Sequence, residues 1–144
     1  MKKQEMIECI RAFNRFYVVE LKFMERNYLG TGFSVAQMRT LYEIHAHKGI
    51  TAGCICETLK LDKGYVSRMI KGFEKNQLVT RQVCEDDSRA FSLHLTPKGE
   101  EQLEYLIQIA GDDIAAVMEK VSAQDAEEIC AAMRLIMDKL SKNN

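Results

Sequence analysis

Asp62-Lys-Gly-Tyr-Val-Ser-Arg-Met-Ile-Lys-Gly-Phe-Glu-Lys-Asn-Gln77 is the stretch whose reading decides the fold. Asp62 is a good N-cap: its carboxylate can accept from the free N–H groups of a first turn, and its charge suits the positive end of a helix. Val66, Met69, Ile70 and Phe73 recur at i, i+3, i+4 and i+7 and share one face. Lys63, Ser67, Arg68, Lys71 and Lys75 fall on the other. One face packs and the other is cationic, suited to phosphate oxygens and base edges. Because any helix can carry a solvated charged face, the flanking sequence decides between a surface helix and a groove-binding one.

Upstream, Thr51 can cap a short helix running through Leu59, and Leu61-Asp-Lys makes a brief turn into the Asp62 helix. Two short helices joined so tightly form a helix-turn-helix, whose second member is the one that enters a major groove. Downstream, Leu78-Val-Thr-Arg-Gln-Val-Cys84 is rich in β-formers and Glu85-Asp-Asp-Ser88 is a turn cluster. Ala90-Phe-Ser-Leu-His-Leu95 then alternates Phe91, Leu93 and Leu95 on one side, completing a hairpin. A two-stranded ribbon after a helix-turn-helix is a wing. Its tip carries Asp87-Ser88-Arg89, a guanidinium suited to a narrow minor groove beside a carboxylate able to hold it extended.

At the N-terminal end, Met6, Ile10, Phe13, Tyr17, Leu21, Met24 and Tyr28 alternate at spacings of three and four, which predicts one long amphipathic helix over residues 4–28. Gly30-Thr-Gly32 breaks it. Ser34-Val-Ala-Gln37 is a capping box, with Phe33 placed to staple onto Met38, so a second helix starts there with Val35, Met38, Leu41, Tyr42 and His45 inward and ends near Lys48-Gly49. At the other end Thr96-Pro97 opens a helix carrying Leu103, Leu106, Ile107, Ala110, Ile114, Val117 and Val121. Ser122 caps a last one carrying Ala126, Ile129, Cys130, Met133, Ile136, Met137 and Leu140. The outer helices hold more apolar length than one winged lobe covers, so a homodimer is expected. The fold expected is mainly α with a small β-hairpin wing: a single domain over 1–144, with a winged helix-turn-helix lobe at 34–96 and dimerisation helices at 1–33 and 97–144.

The chain of 144 residues is 47% hydrophobic and 28% charged, an ordinary composition for one core. Its net charge of −1 excludes a uniformly basic coat, but the charge is unevenly spread. Lys and Arg number eight against five acids in residues 1–50, seven against six in 51–97, and five against ten in 98–144. Four of the six central acids, Glu57, Glu85, Asp86 and Asp87, lie away from the cationic helix face, and local sign governs a groove contact. No apolar run has the length of a membrane span, and Met-Lys-Lys leads into no signal-peptide core, so a cytoplasmic protein without membrane contact is expected. Five cysteines, an odd set, fit free thiols rather than a disulfide framework.

With these elements in order, the chain resembles the MarR family of winged-helix transcription regulators over essentially its whole length. Leu61-Asp-Lys-Gly-Tyr-Val-Ser-Arg-Met-Ile-Lys-Gly-Phe-Glu-Lys-Asn-Gln-Leu-Val79 is similar to the family's recognition helix, and Asp86-Asp-Ser-Arg-Ala90 with Leu93-His-Leu-Thr-Pro-Lys-Gly99 to its wing and exit. The resemblance implies a dimer, formed by the first and last two helices, on a pseudo-palindrome of double-stranded DNA with half-sites roughly 10 bp apart. It implies that Tyr65, Ser67, Arg68 and Lys71 face bases and phosphates, with Arg89, oriented by Asp87, in the minor groove; Lys63, on the same cationic face, is expected to join the DNA contacts. Residues 11–33 also resemble the MarR halves of proteins fused to an acetyltransferase. With no segment of that size after the last helix, that activity is not expected. Asn76-Gln77 stands where the family often closes the recognition helix with glycine, and asparagine tolerates a left-handed cap.

Family members usually answer to a small aromatic or phenolic ligand, an oxidant or a metal. Arg11, Phe13, Arg15, Phe16, Tyr17, Phe33, Met38, Tyr42 and His45 come from the first two helices, where the resemblance implies an effector pocket, and an arginine among aromatics suits an aromatic carboxylate. Cys9 lies roughly where peroxide-sensing relatives carry a reactive cysteine. Cys54 and Cys56, like His45 and His47, are two apart on a helix and point about 200° from each other, which suits neither a metal pair nor any zinc spacing. No metal or other cofactor is expected. Nucleophile elbow, HExxH, P-loop and dinucleotide turn are all absent, so the sequence does not read as an enzyme. A winged-helix module that binds protein instead of DNA remains the alternative that the near-neutral charge favours.

Overall fold

The computed structural model describes residues 1–20 and 28–141. The chain divides into two compact units, residues 1–108 and 109–144.

The first unit begins with α1 (Lys3–Glu20), which buries none of its side chains within the chain. Leu21 and Met24, expected on the same stripe, lie outside the described residues. Tyr28 does not continue that helix: it sits in a 3-10 turn, Tyr28–Gly30, whose Leu29 and Gly30 have φ of 52° and 72°. Two left-handed residues cannot propagate a right-handed helix. The Tyr28 ring is buried, and its backbone N–H donates to the Phe33 carbonyl at 2.8 Å, folding the chain back towards the next helix.

Helix α2 (Val35–Ala46) starts at the expected capping box, with both the Ser34 and Gln37 hydrogen bonds made. Its inward face differs from expectation. Thr40, Leu41, Glu43 and Ile44 are buried, whereas Tyr42 and His45 are exposed. The small Thr40 satisfies its hydroxyl on the Ala36 carbonyl (2.8 Å) and so can lie against Met69, 3.9 Å from its sulfur. Glu43 is buried against Arg39 at 3.3 Å and His47 at 3.5 Å. A polar residue that supplies its own partner packs as readily as an apolar one, and periodicity of apolar residues does not register it.

Helix α3 (Ala52–Leu59), capped by Thr51, ends at Lys60 in the left-handed conformation and turns directly into α4 (Lys63–Lys75). An antiparallel hairpin follows, β1 (Val79–Val83) paired with β2 (Phe91–Leu95) in a register of Val79↔Leu95, Arg81↔Leu93 and Val83↔Phe91. The Gly49 N–H and Ile50 carbonyl exchange backbone hydrogen bonds with Leu93, tying the ribbon's base to the segment after α2. The core is built by Leu41, Ile44, Ile55, Val66, Met69, Ile70, Phe73, Leu78, Val79, Leu93, Leu103 and Leu106. Each is at most 6% exposed, so removing these side chains from water at roughly 25 cal/mol per Å2 is the main force holding the lobe together.

Helix α5 (Pro97–Met118) leaves the hairpin through a close joint. Thr96 N–H donates to the Leu78 carbonyl (3.0 Å), its hydroxyl to the Gln77 carbonyl (2.6 Å), and Lys98 Nζ to the Asn76 carbonyl (3.0 Å). Gly99 is buried against Leu78, whose carbonyl oxygen would stand 2.0 Å from a Cβ at that position. In the second unit, Ser122 caps α6 (Ala123–Ser141) by accepting from Asp125 N–H at 3.1 Å, and α6 buries no side chain within the chain.

Candidate nucleic-acid interface

The outward face of α4 follows from what the helix buries. Val66, Met69, Ile70 and Phe73 are 0–6% exposed and fix its rotation. Lys63, Tyr65, Ser67, Arg68 and Lys71 are thereby exposed, with Tyr65 at 36%. Asp62 caps the helix as expected, its Oδ2 accepting from Tyr65 N–H at 3.1 Å. A Cβ at Gly64 would lie 3.1 Å from Asp62 Oδ2 and 3.3 Å from Arg68 Nη1, so glycine there leaves the space into which the Arg68 guanidinium extends. Arg68 also lines a cleft of about 420 Å3 together with Phe33, Gln37, Phe73, Asn76 and Lys98. The end of α4 differs from the expected cap: the left-handed residue is Gln77 (φ 60°), while Asn76 keeps φ −86° and its side chain donates to the Gly72 carbonyl at 3.0 Å.

At the hairpin tip, Asp87 Oδ1 accepts from the backbone N–H of Arg89 at 2.9 Å. The carboxylate fixes the turn rather than gripping the guanidinium, which is exposed. Arg89 and Ser67 line one cleft of about 360 Å3 between α3, α4 and the ribbon. The outward face of α4 and Arg89 at the hairpin tip are therefore adjacent.

Sequence reading did not single out Glu74 and Arg81. Arg81 Nε and Nη2 donate to the two Glu74 carboxylate oxygens at 2.6 and 2.5 Å, and its guanidinium carbon lies 5.3 Å from the centre of the Phe91 ring. The hydrogen bonds to Glu74, helped by its charge, hold the Arg81 guanidinium pKa above its ordinary value against the opposing effect of burial. The signal available in the sequence was a cation on the same side of β1 as Val79 and Val83, two pairs inward from Val83↔Phe91.

The residues expected to line an effector pocket are dispersed. On α1, Arg11, Phe13, Arg15 and Phe16 are exposed and Tyr17 is half-buried, with Phe13 and Tyr17 stacked at 5.4 Å. Phe33 and Met38 pack on the lobe core. Arg39 lies over the Tyr42 ring at 5.7 Å, and His45 Nδ1 is 2.6 Å from Glu100 Oε2. Phe33 and His45 line different clefts. Cys9 is exposed on α1; Cys54 and Cys130 are exposed, and Cys56 and Cys84 half-buried. Among the described residues no group of three or more His, Cys, Asp or Glu is placed to hold a metal, and no helix is long and apolar enough to cross a membrane.

Residues 31–90 match the family model described as MarR family. The chain is 28% identical over 108 residues to the organic hydroperoxide resistance transcriptional regulator of Bacillus subtilis, covering 75% of this chain and 72% of that one. A MarR transcriptional regulator from Methanosarcina mazei superposes with a TM-score of 0.75 at 21% identity, over 99% of this chain and 100% of that one. A mutant MarR from E. coli, complexed with operator DNA, superposes with a TM-score of 0.73 at 19% identity, over 92% and 96% of the two chains. The structural likenesses establish the winged-helix fold, and over residues 31–90 the chain is similar in sequence to the MarR family of transcriptional regulators.

Proposed function

We propose that the protein binds double-stranded DNA sequence-specifically as a homodimer, on a pseudo-palindromic operator, and acts as a ligand-responsive repressor. The observation that carries this reading is the rotation of α4: burial of Val66, Met69, Ile70 and Phe73 turns Lys63, Arg68 and Lys71 outward beside the Arg89 tip. Tyr65, Ser67 and Arg68 reach base edges, Lys63 and Lys71 bind phosphates, and Arg89, on the turn that Asp87 fixes, enters the minor groove. That a MarR sharing the fold is complexed with operator DNA supports the reading.

The dimer is formed by the segments 1–33 and 97–144. Support comes from Met6, Ile10, Phe13 and Phe16 on α1, Ile114 and Val117 on α5, and Ile129, Met133 and Ile136 on α6, all at least 37% exposed in the single chain. Apolar surface of that extent on three helices calls for a covering partner, and a second copy supplies it symmetrically. The effector is a small aromatic or phenolic molecule; because Arg11, Phe13, Arg15, Phe16, Tyr17, Phe33, Met38, Tyr42 and His45 are dispersed in the single chain, a pocket for it near them would have to be completed by the second copy. Because α5 is joined to α4 through Thr96, Lys98 and Gly99, a shift of the outer helices would move the recognition helix.

A salt titration on a duplex selected from random-sequence DNA tests the reading. Affinity should fall steeply as salt rises, with a log–log slope of several units. Failure to select any duplex would reject DNA binding and favour a protein-interaction module.

A second reading is favoured by the hydroperoxide-resistance regulator among the relatives. In it, a hydroperoxide oxidises the Cys9 thiolate to a sulfenate, is itself reduced to an alcohol, and releases the DNA through the dimer helices.

A further inference from the structure

We propose that Glu74 and Arg81 are positioning residues for DNA binding: their bidentate clasp fixes the angle between recognition helix and wing, so that α4 and Arg89 meet one duplex together. The inference rests on the DNA-binding reading and adds to it the part that sets the geometry of the two contact surfaces.

The ribbon's inward side consists of Val79, Arg81 and Val83 opposite Leu95, Leu93 and Phe91. Val79 and Leu93 are 3% and 2% exposed and anchor its base, whereas Val83 and Phe91 are 58% and 39% exposed. A two-stranded ribbon is marginal by itself, so its outer half needs an external support. Arg81 stands at the transition from buried to exposed. Among the described residues its bonds to Glu74 are the outermost hydrogen-bonded tie between ribbon and α4. Two parallel N–H···O bonds from a planar fork constrain orientation as well as distance, which a single lysine bond cannot do. Packing of the guanidinium on the Phe91 ring ties in the second strand.

The lever beyond the clasp explains why orientation matters. From Arg81 to the turn at Glu85 the strand runs roughly 13 Å at about 3.3 Å per residue. A swing of about 10° there moves the tip roughly 2 Å, more than the range over which a hydrogen bond holds. Released, the wing would carry Arg89 out of register with a duplex already held by α4.

The test has a built-in sign. Glu74→Gln removes an acid next to a cationic face, and electrostatics alone would tighten DNA binding. The clasp predicts the reverse: on the duplex selected by the wild-type protein, Glu74→Gln and Arg81→Lys each weaken binding by about tenfold, while thermal melts show both variants folded at the assay temperature. Arg89→Ala should weaken the wild-type protein by about tenfold but the Glu74→Gln protein by less than about twofold, whereas Lys71→Ala costs the same in both backgrounds. The exchanged pair, Glu74→Arg with Arg81→Glu, should recover most of the affinity and the dependence on Arg89. Unchanged or tighter binding by Glu74→Gln, or an equal Arg89→Ala loss in both backgrounds, overturns the proposal. A wild-type protein that selects no duplex overturns the DNA-binding reading itself, and the clasp's role with it.

Discussion

Gly99→Ala should be among the most damaging single-methyl changes in the protein. A Cβ at this position would lie 2.0 Å from the Leu78 carbonyl oxygen, 3.0 Å from its carbon and 3.3 Å from its Cα. All three neighbours are backbone, so no side chain can rotate away. The start of α5 must retreat by about 1.4 Å before the nearest contact reaches 3.4 Å, where ordinary packing begins. That displacement stretches the bonds closing the joint: Thr96 N–H to the Leu78 carbonyl, Gly99 N–H to Thr96 Oγ1, and Thr96 Oγ1–H to the Gln77 carbonyl. Overpacking costs about 1–3 kcal/mol. Losing two of the bonds adds roughly 1–3 kcal/mol, and alanine's helix propensity returns at most about 1 kcal/mol. The net loss expected is about 1–6 kcal/mol, read from urea denaturation at fixed protein concentration with the slope unchanged. Gly72→Ala is the matched control, because a Cβ there meets nothing within 4 Å and should stabilise α4 by up to about 1 kcal/mol. Wild-type stability for Gly99→Ala would refute the reasoning, since the joint would then have slack that its geometry denies.

Arg68→Ala should weaken binding to the selected duplex by about 1–3 kcal/mol and relax base preference, whereas Lys71→Ala should weaken all sequences alike. Equal losses on selected and random DNA for Arg68→Ala would remove Arg68 from direct readout. Cys9→Ser should abolish release of DNA by organic hydroperoxide if the oxidant reading holds, and undiminished release from the serine variant would reject it.

Much of the lobe was legible because its determinants are local. The caps at Ser34, Thr51, Asp62 and Ser122, the buried face of α4 and the alternation of β2 each depend on residues within a turn or two of one another, and all formed as expected. Where the reading failed, partners came from elsewhere or a polar group supplied its own. The α2 stripe differs from expectation because Thr40 and Glu43 find polar partners within the same turn of chain, Ala36 for one and Arg39 and His47 for the other, and so can be buried, leaving Tyr42 and His45 outside. Tyr28 fitted a helical period, yet the chain turns left-handed immediately after it. The fork between Glu74 and Arg81 joins two elements whose approach is set by packing, so spacing alone could not select it from the other charges.

The sequence by itself determined which helices and strands form and which face of α4 is apolar, because capping and periodicity act over a few residues. Tertiary structure decided how those elements hold one another. The carbonyls of Asn76, Gln77 and Leu78 are gathered by Thr96 and Lys98, the backbone of Leu78 closes on Gly99, and Arg81 locks onto Glu74. Those contacts depend on close approach between distant segments, which only a packed core enforces.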